Sequence, residues 1–135
     1  MNNKDEIKKE DCIFCKIIAQ EIPSFKVYED ENFYGFLTIK PHTKGHTLLI
    51  PKSHSEEILV TEDETVKEIF LTGKNLATKI KKIFNPDKVA FLVAGQGVPH
   101  FHLHLIPIDK ESDLDPHIAK DVDFNELKEI QKLFS

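Results

Sequence analysis

The pattern of apolar and polar residues along the chain predicts an α+β fold. Five short runs have the alternation or the apolar content of β-strands: 26–30, 32–39, 46–51, 88–94 and 100–107. A helical spacing of apolar residues over 61–84 predicts one long helix, and short helices are expected near both ends of the chain. Because most connections are short, we expect a five-stranded, mostly antiparallel sheet with helices covering one face.

Three local expectations rest on single residues or runs. Thr61 and Glu64 have the spacing of a capping box and are expected to start the long helix. The uninterrupted apolar run over 88–94 predicts a buried strand. Pro107 has no backbone N–H, so it is expected to end the fifth strand or to lie at an edge of the sheet.

The length of 135 residues fits a single domain. We expect a flexible polar arm over 1–10, a folded domain over 11–108, and a C-terminal loop with a short helix over 109–135. With 18 Lys+Arg against 23 Asp+Glu, the net charge of −5 disfavours nucleic acid as the main partner. We find no signal peptide and no apolar run that could span a membrane, so a cytoplasmic protein is expected.

The stretch HFHLHLIP at 100–107 carries the clearest chemical signal, because three of the seven histidines alternate there with apolar residues. In a β-strand, His100, His102 and His104 would point to one face with neighbours about 6.8 Å apart, and the residues between them would face the core. Such a row can bind a metal ion, or supply a nucleophile or base beside a phosphate-like anion. The alternative is a solvated polar face, which usually draws on Lys, Thr, Glu and Ser.

Two further motifs contain groups that bind anions or metals. Gly95, Gln96 and Gly97 directly precede the histidine row, and their backbone N–H groups could cradle an oxyanion, although an ordinary turn is an equal alternative. Cys12 and Cys15 form a C-x-x-C pair, which supplies two ligands to zinc or remains as two reduced buried thiols. Two more zinc ligands would come from distant sequence, and the candidates are His46, His54 and His100.

These motifs, taken in their order along the chain, resemble the histidine triad superfamily in its small Hint-like branch. The matching segments are CIFCKII, EIPS, KVYED, KGHTLLIPKSH and AGQGVPHFHLHLIP, which together span about residues 11–108. The resemblance implies a homodimer whose two sheets join into one. It also implies an enzyme that cleaves at the α-phosphate of purine nucleoside phosphoramidates or dinucleoside polyphosphates.

The resemblance further implies roles for individual residues. His102 would be the nucleophile that forms a nucleotidyl-histidine, the carbonyl of His100 would orient it, and His104 would contact the phosphate oxygens or the leaving group. One structural zinc per chain would bind both cysteines together with His54 and His100. The purine nucleotide would contact an apolar base pocket, the glycine loop and the triad: Phe14, Ile17, Ile22, Phe36, Leu37, Thr38, Ile39, Gly95, Gln96, Gly97, His102 and His104.

Three features depart from the pattern that the resemblance implies. Thr38 stands where an acidic residue or asparagine usually holds the ribose hydroxyls, so weaker ribose binding is expected. Gly97 stands where a Ser or Thr often donates to the phosphate or leaving group, and the turn before AGQ is shortened. Two alternatives follow: a nucleotide-binding or partner-binding protein with little turnover, and a zinc hydrolase whose metal is held by the triad itself.

Overall fold

The computed structural model describes residues 11–94 and 97–135, so the polar arm predicted over 1–10 lies outside the described residues. Three α-helices occur there: α1 (Ile13–Ile18), α2 (Asp63–Phe84) and α3 (Phe124–Lys132). Five strands occur with them: β1 (Phe25–Glu29), β2 (Phe33–Leu37), β3 (Thr47–Pro51), β4 (Lys88–Val93) and β5 (Leu103–Ile108). No helix in this part of the chain is long and apolar enough to cross a membrane.

The five strands form one sheet in the order β1-β2-β3-β5-β4, and every neighbouring pair is antiparallel. The predicted α+β class with one antiparallel sheet and one long helix is therefore confirmed. The order places β3 and β5 side by side, although more than fifty residues separate them along the chain. The two histidine-containing segments of the sequence thereby become neighbours.

Both faces of the sheet are covered, and β2 shows this most clearly. Phe33 and Leu37 pack into the main core with α2 and α3, whereas Tyr34 and Phe36 pack with α1 in a smaller cluster. Successive side chains of a strand point to opposite faces, so one strand contributes to both clusters. The expectation that the helices cover a single face is wrong, because α1 lies opposite α2 and α3.

The strand predicted to be buried at 88–94 is instead an exposed edge. Phe91, Leu92 and Val93 of β4 are 40%, 38% and 38% exposed. Among the described strands, β4 pairs with β5 alone. An apolar run predicts a strand but does not reveal how many neighbours that strand has, and here one edge of β4 has no neighbouring strand among the described residues.

The capping box predicted at the start of the long helix is also absent. The helix begins after Glu62, which makes no side-chain capping bond. The hydroxyl of Thr61 donates to the carbonyl oxygen of Glu57 at 2.7 Å and lies 2.6 Å from the hydroxyl of Ser55. Thr61 is therefore used by the preceding turn and is not available to cap the helix.

Pro107 lies within β5 and does not end it, because Ile108 continues the pairing with β4. The carbonyl oxygen of Pro107 accepts a hydrogen bond from the hydroxyl of Thr43 at 2.6 Å, so this side of the residue faces the loop before β3. The pairing of β3 with β5 stops at Leu105. The missing N–H therefore faces a position at which no strand requires it.

Candidate functional site

The three histidines of the H-x-H-x-H motif lie where the chain enters β5. His104 is within the strand, whereas His100 and His102 precede it, so the strand is shorter than predicted. The entering segment is held by a hydrogen bond from the N–H of Phe101 to the carbonyl oxygen of Ser55 at 2.7 Å. Phe101 packs into the main core, and the ring of His102 lies 5.0 Å from that of His104. The predicted alternation of core and histidine residues is therefore present.

His102 is held in one orientation by the chain itself. Its Nδ1 lies 2.8 Å from the carbonyl oxygen of His100. A carbonyl oxygen only accepts, so Nδ1 donates and the lone pair of the neutral ring is on Nε2. Burial lowers the pKa of His102, and the hydrogen bond to His100 opposes this effect in part. The neutral ring with a lone pair on Nε2 is the form that a histidine nucleophile requires.

A second series of hydrogen bonds fixes His104 in the opposite sense. The backbone N–H of His42 donates to Nδ1 of His46 at 3.0 Å, so the proton of neutral His46 is on Nε2. That Nε2 lies 2.9 Å from Nδ1 of His104 and donates to it. The proton of neutral His104 is therefore on Nε2. The Nε2 atom of His102 accepts, whereas that of His104 donates.

Both histidines of this series are neutral at pH 7. Burial lowers the pKa of His46 to about 3, and the neighbouring His104 and His42 add to the effect. Burial likewise lowers the pKa of His104 to about 4, with contributions from His102 and His42. The proton positions described above therefore apply over the whole neutral pH range.

The role of His46 was missed by the sequence analysis, which considered it only as a zinc candidate. Gly45 directly precedes it with a φ of +96°, where a Cβ would lie 2.7 Å from the ring of Phe84, so glycine is required at this turn. Leu48 lies opposite His104 in the pairing of β3 with β5, and His46 is two residues from Leu48. The useful signal is this register, which the sequence alone does not reveal.

His100, at the other end of the motif, faces α1. Its Nδ1 lies 3.3 Å from Sγ of Cys12, 3.5 Å from Sγ of Cys15 and 3.2 Å from Nδ1 of His54. The Nδ1 atom of His54 is 3.3 Å from Sγ of Cys15. The Nε2 atom of His100 donates to the carbonyl oxygen of Pro51 at 2.9 Å, which leaves the lone pair on Nδ1.

This cluster of two thiols and two imidazoles suits a zinc ion. Its four ligand atoms lie within 4.8 Å of one another. A tetrahedral zinc with ordinary bond lengths separates its N and S ligand atoms by about 3.3 to 3.8 Å, close to the separations given above. Within residues 11–94 and 97–135 no second group of three or more His, Cys, Asp or Glu ligands is close enough to hold one ion.

An apolar cleft of about 580 Å³ lies beside the histidines. The ring of Phe14, in its wall, is 5.1 Å from that of His102, and Leu48 lies opposite His104. The lining includes Thr38, at the position expected to face the ribose, and all the base-pocket residues that the resemblance implies: Phe14, Ile17, Ile22, Phe36, Leu37 and Ile39. It extends further than predicted, because β1 and α3 contribute Phe25, Phe124, Lys128 and Gln131. Those residues lie outside the segments that carry the resemblance, so nothing in the motifs indicated them.

The positions that depart from the expected pattern lie near this cleft or the histidine row. The hydroxyl oxygen of Thr38 accepts a hydrogen bond from the N–H of Lys40 at 3.1 Å. Gly97 lies in an exposed turn, where a Cβ would meet no described atom within 4 Å. Gly95 and Gln96 lie outside the described residues, so the oxyanion cup assigned to this loop stays a prediction.

The antiparallel sheet, the histidine row and the adjoining cleft define a protein of the histidine triad class. A model of the HIT domain matches residues 19–111. The chain therefore belongs to the HIT family.

Individual relatives agree with this membership. The chain is 48% identical over 103 residues to Protein hit of Bacillus subtilis (strain 168), which covers 73% of this chain and 71% of that protein. It is 39% identical over 124 residues to adenosine 5'-monophosphoramidase HNT1 of Saccharomyces cerevisiae, which covers 90% and 78%. A zinc-bound histidine triad family protein from Mycobacterium smegmatis has a similar structure, with a TM-score of 0.81, 33% identity, and coverage of 94% of this chain and 92% of that one.

Proposed function

We propose that this chain is an enzyme that cleaves at the α-phosphate of purine nucleoside phosphoramidates or dinucleoside polyphosphates. One observation carries the proposal: the Nε2 atoms of two adjacent rings have opposite roles, accepting in His102 and donating in His104. The rings lie 5.0 Å apart beside an apolar cleft. A nucleophile next to a hydrogen-bond donor suits displacement at phosphorus. The likeness to the yeast monophosphoramidase supports the same class of reaction.

The proposed reaction has two displacement steps. In the first, the lone pair on Nε2 of His102 forms a bond to the α-phosphorus, and the leaving group departs with the electrons of its P–N or P–O bond. A leaving amine takes up a proton from solvent, and a leaving phosphate departs as its anion. His104 donates a hydrogen bond to a phosphoryl oxygen, where charge develops, and keeps its proton. In the second step a water molecule attacks the nucleotidyl-histidine and releases the nucleotide, which restores His102.

The proposal also assigns the purine nucleotide to the cleft beside the triad. The base would lie against Phe14 and the aliphatic residues of the cleft, with the ribose near Thr38. Apolar burial supplies most of the binding free energy in such pockets, and a few polar groups fix the orientation. The single hydroxyl of Thr38 accepts fewer hydrogen bonds than a carboxylate, so ribose contributes less to binding.

We further propose one structural zinc bound by Cys12, Cys15, His54 and His100. The bound ion would lock the loop after β3 and the N-terminus of α1 onto His100. Because the carbonyl of His100 accepts from Nδ1 of His102, zinc would also hold the nucleophile in position. The relative from Mycobacterium smegmatis, described as zinc-bound, supports this assignment.

A homodimer joined along the edge of β4 is part of the same proposal. The opposite edge, β1, packs against α3, and the amide of Gln131 donates to the backbone carbonyl of Lys26. The edge of β4 has no such cover among the described residues. The ring of Phe91 stacks on that of Phe70 in α2, and Leu71, the next residue of that helix, is 62% exposed. An uncovered apolar edge of this kind favours pairing with a second sheet. Light scattering is expected to give twice the chain mass of 15.5 kDa, and Phe91→Glu is expected to return the mass to that of one chain.

The alternative of a weak binder rests on Thr38 and Gly97, which lack groups that the family pattern contains. Incubation of the purified protein with adenosine 5'-phosphoramidate separates the two functions. We expect release of AMP over time. Binding of AMP without any release from the phosphoramidate would favour the binder.

A zinc hydrolase with the metal on the triad is disfavoured by where the Nδ1 atoms point. The Nδ1 atom of His102 faces a carbonyl oxygen, and the Nδ1 atom of His104 faces His46. The Nδ1 atom of His100 faces the two cysteines. Because Nε2 of His100 donates to the carbonyl oxygen of Pro51, both nitrogens of that ring face other groups. The three triad rings are also not among the described groups whose ligand atoms are close enough to share one ion. Brief chelation is expected to leave AMP release in place until the fold itself loosens.

A further inference from the structure

The cleft beside His102 changes character where it reaches α3. Among the described residues that line it, Lys128 is the only one with a charged side chain, and none is a carboxylate. Phe124, Lys128 and Gln131 have the i, i+4 and i+7 spacing of one helix face, which is the face turned to the cleft. This helix follows residue 111, the last residue matched by the family model.

The two ends of the cleft differ in the groups they offer. Phe14 and Leu48 lie at the end next to the histidines, whereas Lys128 lies at the end formed by α3. If the proposed function holds, a nucleotide with its phosphate at His102 directs its base toward α3. The part of the base that reaches α3 then meets Lys128, the only charged side chain among the described residues of the cleft lining.

Lys128 is available for such a contact. It forms none of the ion pairs found among residues 11–94 and 97–135, whereas its neighbour Glu129 pairs with Lys132 at 3.0 Å. The nearby amide of Gln131 donates to the carbonyl oxygen of Lys26 at 2.9 Å, which ties that side chain to β1. The ring of Phe124 lies 5.4 Å from that of Phe25, and it forms an apolar wall next to Lys128.

We propose that Lys128 reads the purine base and selects 6-oxopurines, such as guanine and hypoxanthine, over adenine. The proposal rests on the proposed function and names the base class for the same cleft. An ammonium group has three donors and no acceptor. A 6-oxopurine offers two adjacent acceptors, N7 and O6, whereas adenine offers N7 next to an amino donor. With adenine, the ammonium group of the exposed Lys128 would face an amino donor and could donate a hydrogen bond to N7 alone.

Binding of IMP and AMP tests this proposal, because the two nucleotides share the ribose and phosphate and differ in the base at position 6. Calorimetry with the full-length protein is expected to give a Kd about tenfold lower for IMP than for AMP, within the range for a bidentate contact to N7 and O6. Lys128→Met keeps an unbranched apolar stem. It is expected to bring the ratio of the Kd values for AMP and IMP to about one, mainly by weakening the binding of IMP. Lys128→Glu supplies an acceptor for the adenine amino group and is expected to reverse the preference.

Lys132→Met is the matched control, because Lys132 is on the same helix, is paired with Glu129 and does not line the cleft. Its ratio of Kd values is expected to equal that of the wild type. Equal binding of the two nucleotides by the wild type, or a preference that survives Lys128→Met, would overturn the inference and leave the proposed function standing. Equal weakening of both nucleotides by Lys128→Met would overturn it too, since Lys128 would then act only through its charge on the phosphate. Failure of both nucleotides to bind would overturn the inference and the proposed function together.

Discussion

The two ends of the H-x-H-x-H motif use one residue type in two different environments. His100 is fully buried, its Nε2 donates to the carbonyl of Pro51, and its Nδ1 is within 3.5 Å of three potential zinc ligands. His104 is partly buried, its Nδ1 accepts from His46, and it borders a cleft through Leu48. The first environment is closed by protein atoms, and the second leaves one N–H as a donor.

The comparison shows that the atom facing Nδ1 determines what each histidine can do. The thiols and the second imidazole around His100 favour its use as a metal ligand. The carbonyl oxygen that faces His102 leaves the lone pair of that ring on Nε2. The imidazole that donates to His104 leaves the proton of that ring on Nε2. His102, in the middle, is linked to both ends: to the cluster of cysteines and histidines through the backbone of His100, and to the series from His46 through His104.

The largest expected effect is the loss of activity when His102, between the two ends of the motif, is replaced. His102→Ala is expected to lower the rate of phosphoramidate hydrolysis by about a thousandfold or more, because the covalent route is lost. Nucleotide binding is expected to persist, since the base pocket is untouched. The matched control is His117→Ala, which alters an exposed histidine that pairs with Asp115 outside the cleft. This variant is expected to keep wild-type activity. A His102→Ala enzyme with undiminished turnover would show that the nucleophile is a different residue.

The next largest effect is expected from a change at the cysteine–histidine cluster around His100. Cys15→Ser removes one thiolate ligand and is expected to lower bound zinc from one ion per chain to none, as measured by mass spectrometry of metals. The free energy of unfolding is expected to fall by at least about 2 kcal/mol, because binding to the native state alone stabilises it. Chelation is expected to destabilise the wild type and leave Cys15→Ser unchanged. Zinc content that is the same in both proteins would contradict the assigned ligands.

A smaller effect is expected from a change at the other end of the motif, where His46 donates to His104. His46→Leu removes the donor to Nδ1 of His104 and is expected to lower the hydrolysis rate by about tenfold, as for other residues that orient a functional histidine. His46→Gln keeps an N–H donor on a side chain of similar reach and is expected to recover part of that loss. Zinc content is expected to stay at the wild-type value in both variants. A loss of equal size in both would show that His46 acts through packing alone.

The last prediction is a pH dependence of stability. His46 has a folded-state pKa of about 3, below its usual 6.5, so the unfolded chain binds the proton first as the pH falls. The stability due to neutral His46 is therefore full above pH 6.5 and is lost progressively toward pH 3. Between pH 7 and 5 the wild type is expected to lose about 2 kcal/mol that His46→Leu does not lose. Urea unfolding at the two pH values, with His117→Leu as the control, measures this difference, and parallel losses in all three proteins would exclude a contribution from His46.

The sequence predicts those parts of the molecule that depend on local spacing. The alternation at 100–107 indicates which residues face the core, and the C-x-x-C spacing supplies two zinc ligand candidates from a single helical turn. The exposure of β4 was not predictable, because an apolar run does not show whether a second neighbour exists. The pairing of His46 with His104 depends on the register of two strands distant in sequence, and Lys128 reaches the cleft only through the packing of α3 on β1.

The central claim is that His102 carries the nucleotide between the two displacement steps. Rapid base quenching, which preserves the acid-labile P–N bond, of the wild-type enzyme during turnover of a purine nucleoside phosphoramidate tests it by peptide mass spectrometry under non-acidic conditions. We expect a nucleotidyl adduct on the peptide that contains residues 100–107, with fragment ions that assign it to His102. An adduct on His104, or none under conditions in which AMP is being released, would contradict the account.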